Sequence, residues 1–213
     1  MKYVPGPSQF VKTAQQLAEY LRRELQRISQ SVSSLESEGW TDLRFPAQGI
    51  NPAGSPAPAT VDNTTSANAV PGSLLFSGIG INGVAGIAQF PHGFVPGPVE
   101  PHIHVRREAA STEGVVFYLN YKIIGNPGDQ PGPWVTLTGS VAVGDFTSAF
   151  EHCIITFPRI DLTSYYDSVC LNWYLWRDGA SDSYADQVRL YEFDIHYRHR
   201  GFGSADIYAR KNG

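Results

Sequence analysis

The chain has 213 residues and a formal net charge of -4, with only 17% charged residues, which leaves no basic footprint for nucleic acid or an anionic membrane surface. No run approaches the roughly 20 apolar residues that span a bilayer, so no membrane insertion is expected. The length suits one β domain with a substantial core, and 21 glycines, 15 prolines and 12% aromatics point to turns between short aromatic strands rather than to a helical enzyme.

The opening residues, Met1-Lys2-Tyr3-Val4-Pro5-Gly6-Pro7, lack the apolar stretch of a signal peptide. They read as a short docking peptide. From Ser8 the apolar positions Val11, Ala14, Ala18, Leu21, Leu25, Ile28, Val32 and Leu35 recur at alternating spacings of three and four. That is a heptad seam, and it predicts a helix that pairs with copies of itself in a coiled coil. Phe10 and Leu17 are the apolar residues that widen it. Ser8 is placed to cap the helix and Gly39 to end it. At about 1.5 Å per residue the helix would be ~45 Å long. The mixture of Val, Ala, Leu and Ile in the seam does not by itself fix the number of strands.

Residues 40–73 contain Phe45-Pro46-Ala47-Gln48-Gly49 and Gly54-Ser55-Pro56-Ala57-Pro58-Ala59-Thr60. Rich in Pro, Ala, Asn, Thr and Ser, they read as an extended connector. From Leu74 onward strand signals repeat, at Leu74–Phe76, 84–90, 100–106, Val115–Ile124, 134–143, 153–157, 169–176 and 187–197. Turn chemistry such as Asn126-Pro127-Gly128-Asp129 and Arg177-Asp178-Gly179 separates them. Period-two alternation, as in Val169, Leu171, Trp173 and Leu175, marks antiparallel strands with one face in a core. The expected fold is therefore mainly β. An N-terminal coiled-coil segment with its docking peptide (residues 1–39) and a connector (40–73) precede an antiparallel β-sandwich of jelly-roll type (74–213).

Few residues suggest chemistry. Gly78-Ile79-Gly80-Ile81-Asn82-Gly83 matches the spacing of a dinucleotide fingerprint, but a strand-like segment follows where a helix N-terminus would be needed, so a glycine-rich hairpin is expected. In Pro101-His102-Ile103-His104-Val105, the two imidazoles project from one face of a strand. His102 and His104 are therefore the candidate metal ligands, with Glu100 on the same face, as in cupin-like metal-dependent enzymes. A third ligand is not evident, because His92, His152, His196 and His199 show no obvious pairing. Three chains could instead supply six imidazoles to one axial ion; the simpler alternative is hydrogen-bonded histidines on a sheet face. Trp134, Trp173 and Trp176 fall in strand patterns that core packing explains. Cys153 and Cys170 form no metal-type pair and read as buried thiols of a protein made in a reducing cytosol. No catalytic residue and no cofactor is expected.

Several phrases, in this order, resemble a family of tailed-bacteriophage virion proteins. They are Leu43-Arg44-Phe45-Pro46-Ala47-Gln48-Gly49-Ile50-Asn51-Pro52, Gln89-Phe90-Pro91-His92, Pro101-His102-Ile103-His104, Phe193-Asp194-Ile195-His196-Tyr197 and Gly201-Phe202-Gly203-Ser204. The chain departs from the family pattern at Val105, where a Trp usually follows the His-x-His, and at Arg106-Arg107. The resemblance implies a non-catalytic structural component of the virion, made in the host cytoplasm: a tail or head fibre, a spike or a fibre-anchoring protein. Such appendages are commonly homotrimers, which implies three strands in the coiled coil. The implied partners are itself, other virion proteins of tail or capsid, and a host cell-surface glycan for attachment. A free-standing glycan-binding module and a cupin-like metal-dependent enzyme are the alternatives.

Overall fold

The structure is a computed structural model and describes residues 14–35, 39–52, 59–62, 67–125, 129–166 and 168–200. The docking peptide, Val11, residues 53–58, the turn at 126–128 and the motif at 201–204 lie outside the described residues. The first element among the described residues is one helix, α1 (Ala14–Leu35), without a glycine or proline to interrupt it. No helix among the described residues is long and apolar enough to cross a membrane.

Eleven strands follow among the described residues: β1 (Gly39–Pro46), β2 (Thr60–Val61), β3 (Leu74–Phe76), β4 (Ile81–Gln89), β5 (Pro98–Arg107), β6 (Val115–Ile124), β7 (Val135–Val141), β8 (His152–Thr156), β9 (Ile160–Asp161), β10 (Cys170–Asp178) and β11 (Val188–His199). All eight expected strands are present, with ends displaced by at most a few residues. They form two antiparallel sheets. The larger runs β2-β3-β11-β5-β8, with β1 also on β11 and β9 on β5; the smaller runs β4-β10-β6-β7.

The sheets face each other because each strand offers one apolar side. In β10, Leu171, Trp173 and Leu175 are buried while Asn172, Tyr174 and Trp176 alternate outward. In β5, Val99, Ile103 and Val105 are buried while His102 and His104 face out. Aromatic rings join the layers: Trp173 of β10 meets Phe193 of β11 at 4.6 Å between centroids, and Phe76 of β3 meets Phe117 of β6 edge-on at 5.1 Å. Trp173 needs room that only glycine leaves on the neighbouring strand, since a Cβ at Gly86 would lie 2.4 Å from its ring. Truncating such a buried tryptophan typically costs about 3–5 kcal/mol.

Residues 40–73, expected as a connector, contribute to the sheet and to the core. β1 pairs with β11 in an unbroken register from Gly39 opposite His199 to Pro46 opposite Glu192. Its Leu43 and Phe45 pack against the core, and Ala47, Ile50 and Ala59 are buried. The few apolar residues here suffice because they fall on alternate positions of a paired strand. Gly39, expected to end the helix, is the first residue of β1.

An ionic clip holds the end of this segment to the larger sheet. Arg189 of β11 donates Nε and Nη2 to Glu108 at 2.9 and 3.0 Å, and Nη1 to Ser73 Oγ at 2.7 Å and to Asp62. Arg106 donates Nε to Glu108 Oε1 at 2.8 Å.

Candidate functional site

The side chains with the most chemistry converge on the outer face of the larger sheet. His102 and His104 project from β5 beside β11, where Asp194 stands opposite His102 and Glu192 opposite His104 in the ladder. On the far side of β11, β1 brings Arg44 opposite Asp194 and Asp42 opposite His196. Together these residues line a shallow depression of about 430 Å³.

A β-bulge sets this arrangement. Leu190 pairs with Val105 and Glu192 with His104, so Tyr191 is the additional residue on β11. An added residue reverses which face the following side chains occupy. Phe193 and Ile195 thereby enter the core, and Asp194 turns to the histidine face.

Asp194 is the centre of the cluster, and its side chain is 5% exposed. Its Oδ2 lies 3.3 Å from His104 Nε2 and 3.6 Å from His102 Nε2. Its Oδ1 is buried without a hydrogen-bond partner among the described residues. Burial pushes the Asp194 carboxyl up to about 7, reinforced by the negative charges of Glu192 and Asp42 and opposed by Arg44. Burial also holds His104 below the ordinary imidazole value, together with the adjacent His102 and His152. Arg44 is committed to Glu192 by two bonds, Nε to Oε1 at 2.8 Å and Nη2 to Oε2 at 2.6 Å. Its charge is thereby balanced beside the cluster.

The remaining ring nitrogens have partners as well. His102 Nδ1 lies 3.4 Å from the Glu100 carbonyl oxygen. His104 Nδ1 lies 3.0 Å from His152 Nε2, with the two rings stacked 8° from parallel.

Of the residues singled out in the sequence, His102 and His104 come together as expected. The Glu100 carboxylate is engaged by Arg159, and it is the Glu100 carbonyl that approaches His102. Asp194, which the sequence did not identify as a third group, takes the place expected for that carboxylate. His152 pairs with His104, and His196 sits edge-on to Trp40 at 5.2 Å.

The seam positions other than Val11 lie on α1, and Ala18, Leu21, Leu25, Ile28 and Val32 are exposed. Ala14 and Leu35 belong to the same helix. The glycine-rich stretch leads into strand β4 rather than a helix, but it is not the hairpin expected: β3 and β4 lie in different sheets, so the chain crosses here from the larger sheet to the smaller. Cys153 is buried and Cys170 half-buried, both as free thiols.

On the outer face of the smaller sheet, Tyr118 and Trp176 stack at 4.2 Å, and Trp176 Nε1 donates to Asn120 Oδ1 at 3.3 Å. Trp134 is 51% exposed, with Lys122 5.3 Å above its ring. Core packing therefore accounts for Trp173 but not for Trp134 or Trp176.

No family model matches the chain, and no curated protein matches it. Among solved structures, an arabinose-bound α-L-arabinofuranosidase is 14% identical over 83% of this chain and 26% of its own, with a TM-score of 0.38. A xylan-binding module is 14% identical over 75% of this chain and 97% of its own, with a TM-score of 0.36. A family two carbohydrate esterase from Cellvibrio japonicus is 8% identical over 76% of this chain and 34% of its own, with a TM-score of 0.32. The chain thus spans about a quarter of the arabinofuranosidase and a third of the esterase. At such scores these likenesses carry no argument about what this chain does.

Proposed function

We propose that this chain is a non-catalytic structural subunit of a tailed-phage virion, a homotrimeric tail or head fibre, spike or fibre-anchoring protein that self-associates through α1. The observation that carries this reading is the uncovered seam. Leu21, Leu25, Ile28 and Val32 are 41–66% exposed along one stripe of α1 in the single chain. A row of large apolar side chains at heptad spacing is stable in water when partner helices cover it. A parallel three-stranded coiled coil would cover that stripe and carry three β-sandwiches, which suits an appendage. The order β3-β11-β5-β8 over β4-β10-β6-β7 supports reading the domain as a jelly roll.

Light scattering coupled to size exclusion tests this reading. The full chain is expected to have the mass of three copies, and a chain with Leu21→Asp and Ile28→Asp the mass of one, because unpaired charges in a seam are desolvated. A monomer at all concentrations overturns it.

A second reading, a glycan-binding module, is favoured by the outer face of the smaller sheet. Tyr118, Trp176 and the exposed Trp134 lie there with the polar Asn120 and Lys122, and such rings offer flat apolar faces with polar edges. A glycan array with the full chain and with Trp176→Ala, taken together with the light scattering, separates the two: a monomer that binds a glycan through Trp176 favours this second reading, and a trimer favours the first.

A further inference from the structure

We propose that His102, His104 and Asp194 form a binding site for one divalent transition-metal ion of the zinc and iron(II) kind per chain, fastening β5 to β11.

Hydrogen-bond bookkeeping carries this inference. A carbonyl oxygen only accepts, so a bond to the Glu100 carbonyl at 3.4 Å requires the proton of His102 to sit on Nδ1. Nε2 of the neutral ring is then a bare lone pair. When His104 Nδ1 donates to His152 Nε2 at 3.0 Å, His104 has the same tautomer. Both bare nitrogens face Asp194 Oδ2, at 3.6 and 3.3 Å. With these tautomers three acceptor atoms converge on one point, a crowding relieved by a proton on the carboxylate or by a metal cation bound between them. The second oxygen of Asp194, buried without a partner among the described residues, is the additional sign that the carboxylate has capacity for a ligand.

The dimensions agree. Ligands held ~2.0–2.1 Å from a tetrahedral ion are about 3.3 Å apart, as the two histidine–aspartate distances nearly are. All three ligand atoms lie within 4.8 Å of one another. Each imidazole also carries the outer partner that metal-bound histidines usually have, the Glu100 carbonyl for one and His152 for the other. Two imidazoles and one carboxylate select borderline divalent ions over calcium or magnesium, which take oxygen ligands. The positions left open face the depression lined by Asp42, Arg44, Glu192 and His196, where water completes the shell. The site uses residues of one chain and does not depend on how α1 associates.

The test uses the full-length untagged chain, Zn²⁺ in equilibrium dialysis and Co²⁺ in visible absorption. The expected result is one ion per chain, cobalt d–d bands without thiolate charge transfer, and a thermal midpoint that rises with Zn²⁺. Asp194→Asn and His104→Gln should each raise the dissociation constant by at least about 100-fold, and His152→Gln by about 10- to 100-fold. Paramagnetically shifted ring N–H signals from two histidines, measured on the unaltered chain, keep the test independent of whether the variants fold. Absence of uptake, one ion per three chains, or uptake unchanged in folded Asp194→Asn protein overturns the proposal.

Discussion

Arg177 and Asp182 form a two-pronged ion pair from which solvent is wholly excluded, with Nε to Oδ2 at 2.7 Å and Nη2 to Oδ1 at 2.9 Å. Arg177 also donates to the Asp186 and Ser77 carbonyls at 2.8 and 3.1 Å, so it ties the loop after β10 to the end of β3. Replacing it by methionine leaves Asp182 buried and uncompensated. Arg177→Met should cost about 3–5 kcal/mol, read as a lowered urea midpoint.

The clip around Glu108 makes stability depend on pH. Burial pushes this carboxyl up, but the hydrogen bonds and charges of Arg189 and Arg106 outweigh it and hold it below its ordinary value. A carboxyl lowered in the folded state stabilises the fold above its unfolded value of ~4.3, and that contribution is lost as pH falls through the folded value. Below about pH 4, where Asp194 is protonated in both states and no longer contributes to the slope, thermal midpoints should therefore drop on further acidification. Glu108→Gln should lower the midpoint at pH 7 and flatten this acid slope.

Two glycines allow backbones to touch. A Cβ on Gly78 would lie 1.7 Å from the Ala185 carbonyl oxygen, and one on Gly179 would lie 2.4 Å from Gly78. Backbone atoms cannot swing aside as a flexible side chain does, so Gly78→Ala should destabilise by about 1–3 kcal/mol. Gly39→Ala, where the added methyl meets nothing within 4 Å, should change the unfolding midpoint little or raise it.

Helix α1 has no acidic residue in its first turn and no basic residue in its last. Its dipole is therefore uncompensated, and a helix of this length gains most of its stability from packing. Far-ultraviolet circular dichroism should show helicity falling on dilution through the concentration at which the mass falls. Helicity that does not change across that range would mean that the helix holds itself together.

The thiols should differ in reactivity. Burial pushes Cys153 up to about 11, and Cys170 also upward. A disulfide reagent at pH 8 should label the half-buried Cys170 first, and Cys153 only as the fold opens.

The sequence was most legible where one periodicity decided the outcome. The strand at Val115–Ile124 has the bounds expected from its sequence, because alternate residues face a core. β1 escaped notice because its partner, β11, lies some 150 residues away and only Leu43 and Phe45 advertise an apolar side. His102 and His104 could be paired because they share a strand. Asp194 could not be added to them, since its placement depends on the register between β5 and β11 and on the bulge at Tyr191. Neither is written in local composition, and the same holds for His152, which arrives from β8 on the other side of β5.

β11 is the last strand among the described residues, yet it pairs with β5 along one edge and with both β1 and β3 along the other. The larger sheet consequently cannot close until nearly the whole domain has left the ribosome. Pairings between such distant segments are slow, since loop-closure entropy is lost before the contacts repay it. Helix α1 emerges long before then. On a message carrying several ribosomes, the association through α1 proposed above would bring neighbouring nascent chains together while their β-sandwiches were still unfolded, so assembly would precede and template domain folding rather than follow it.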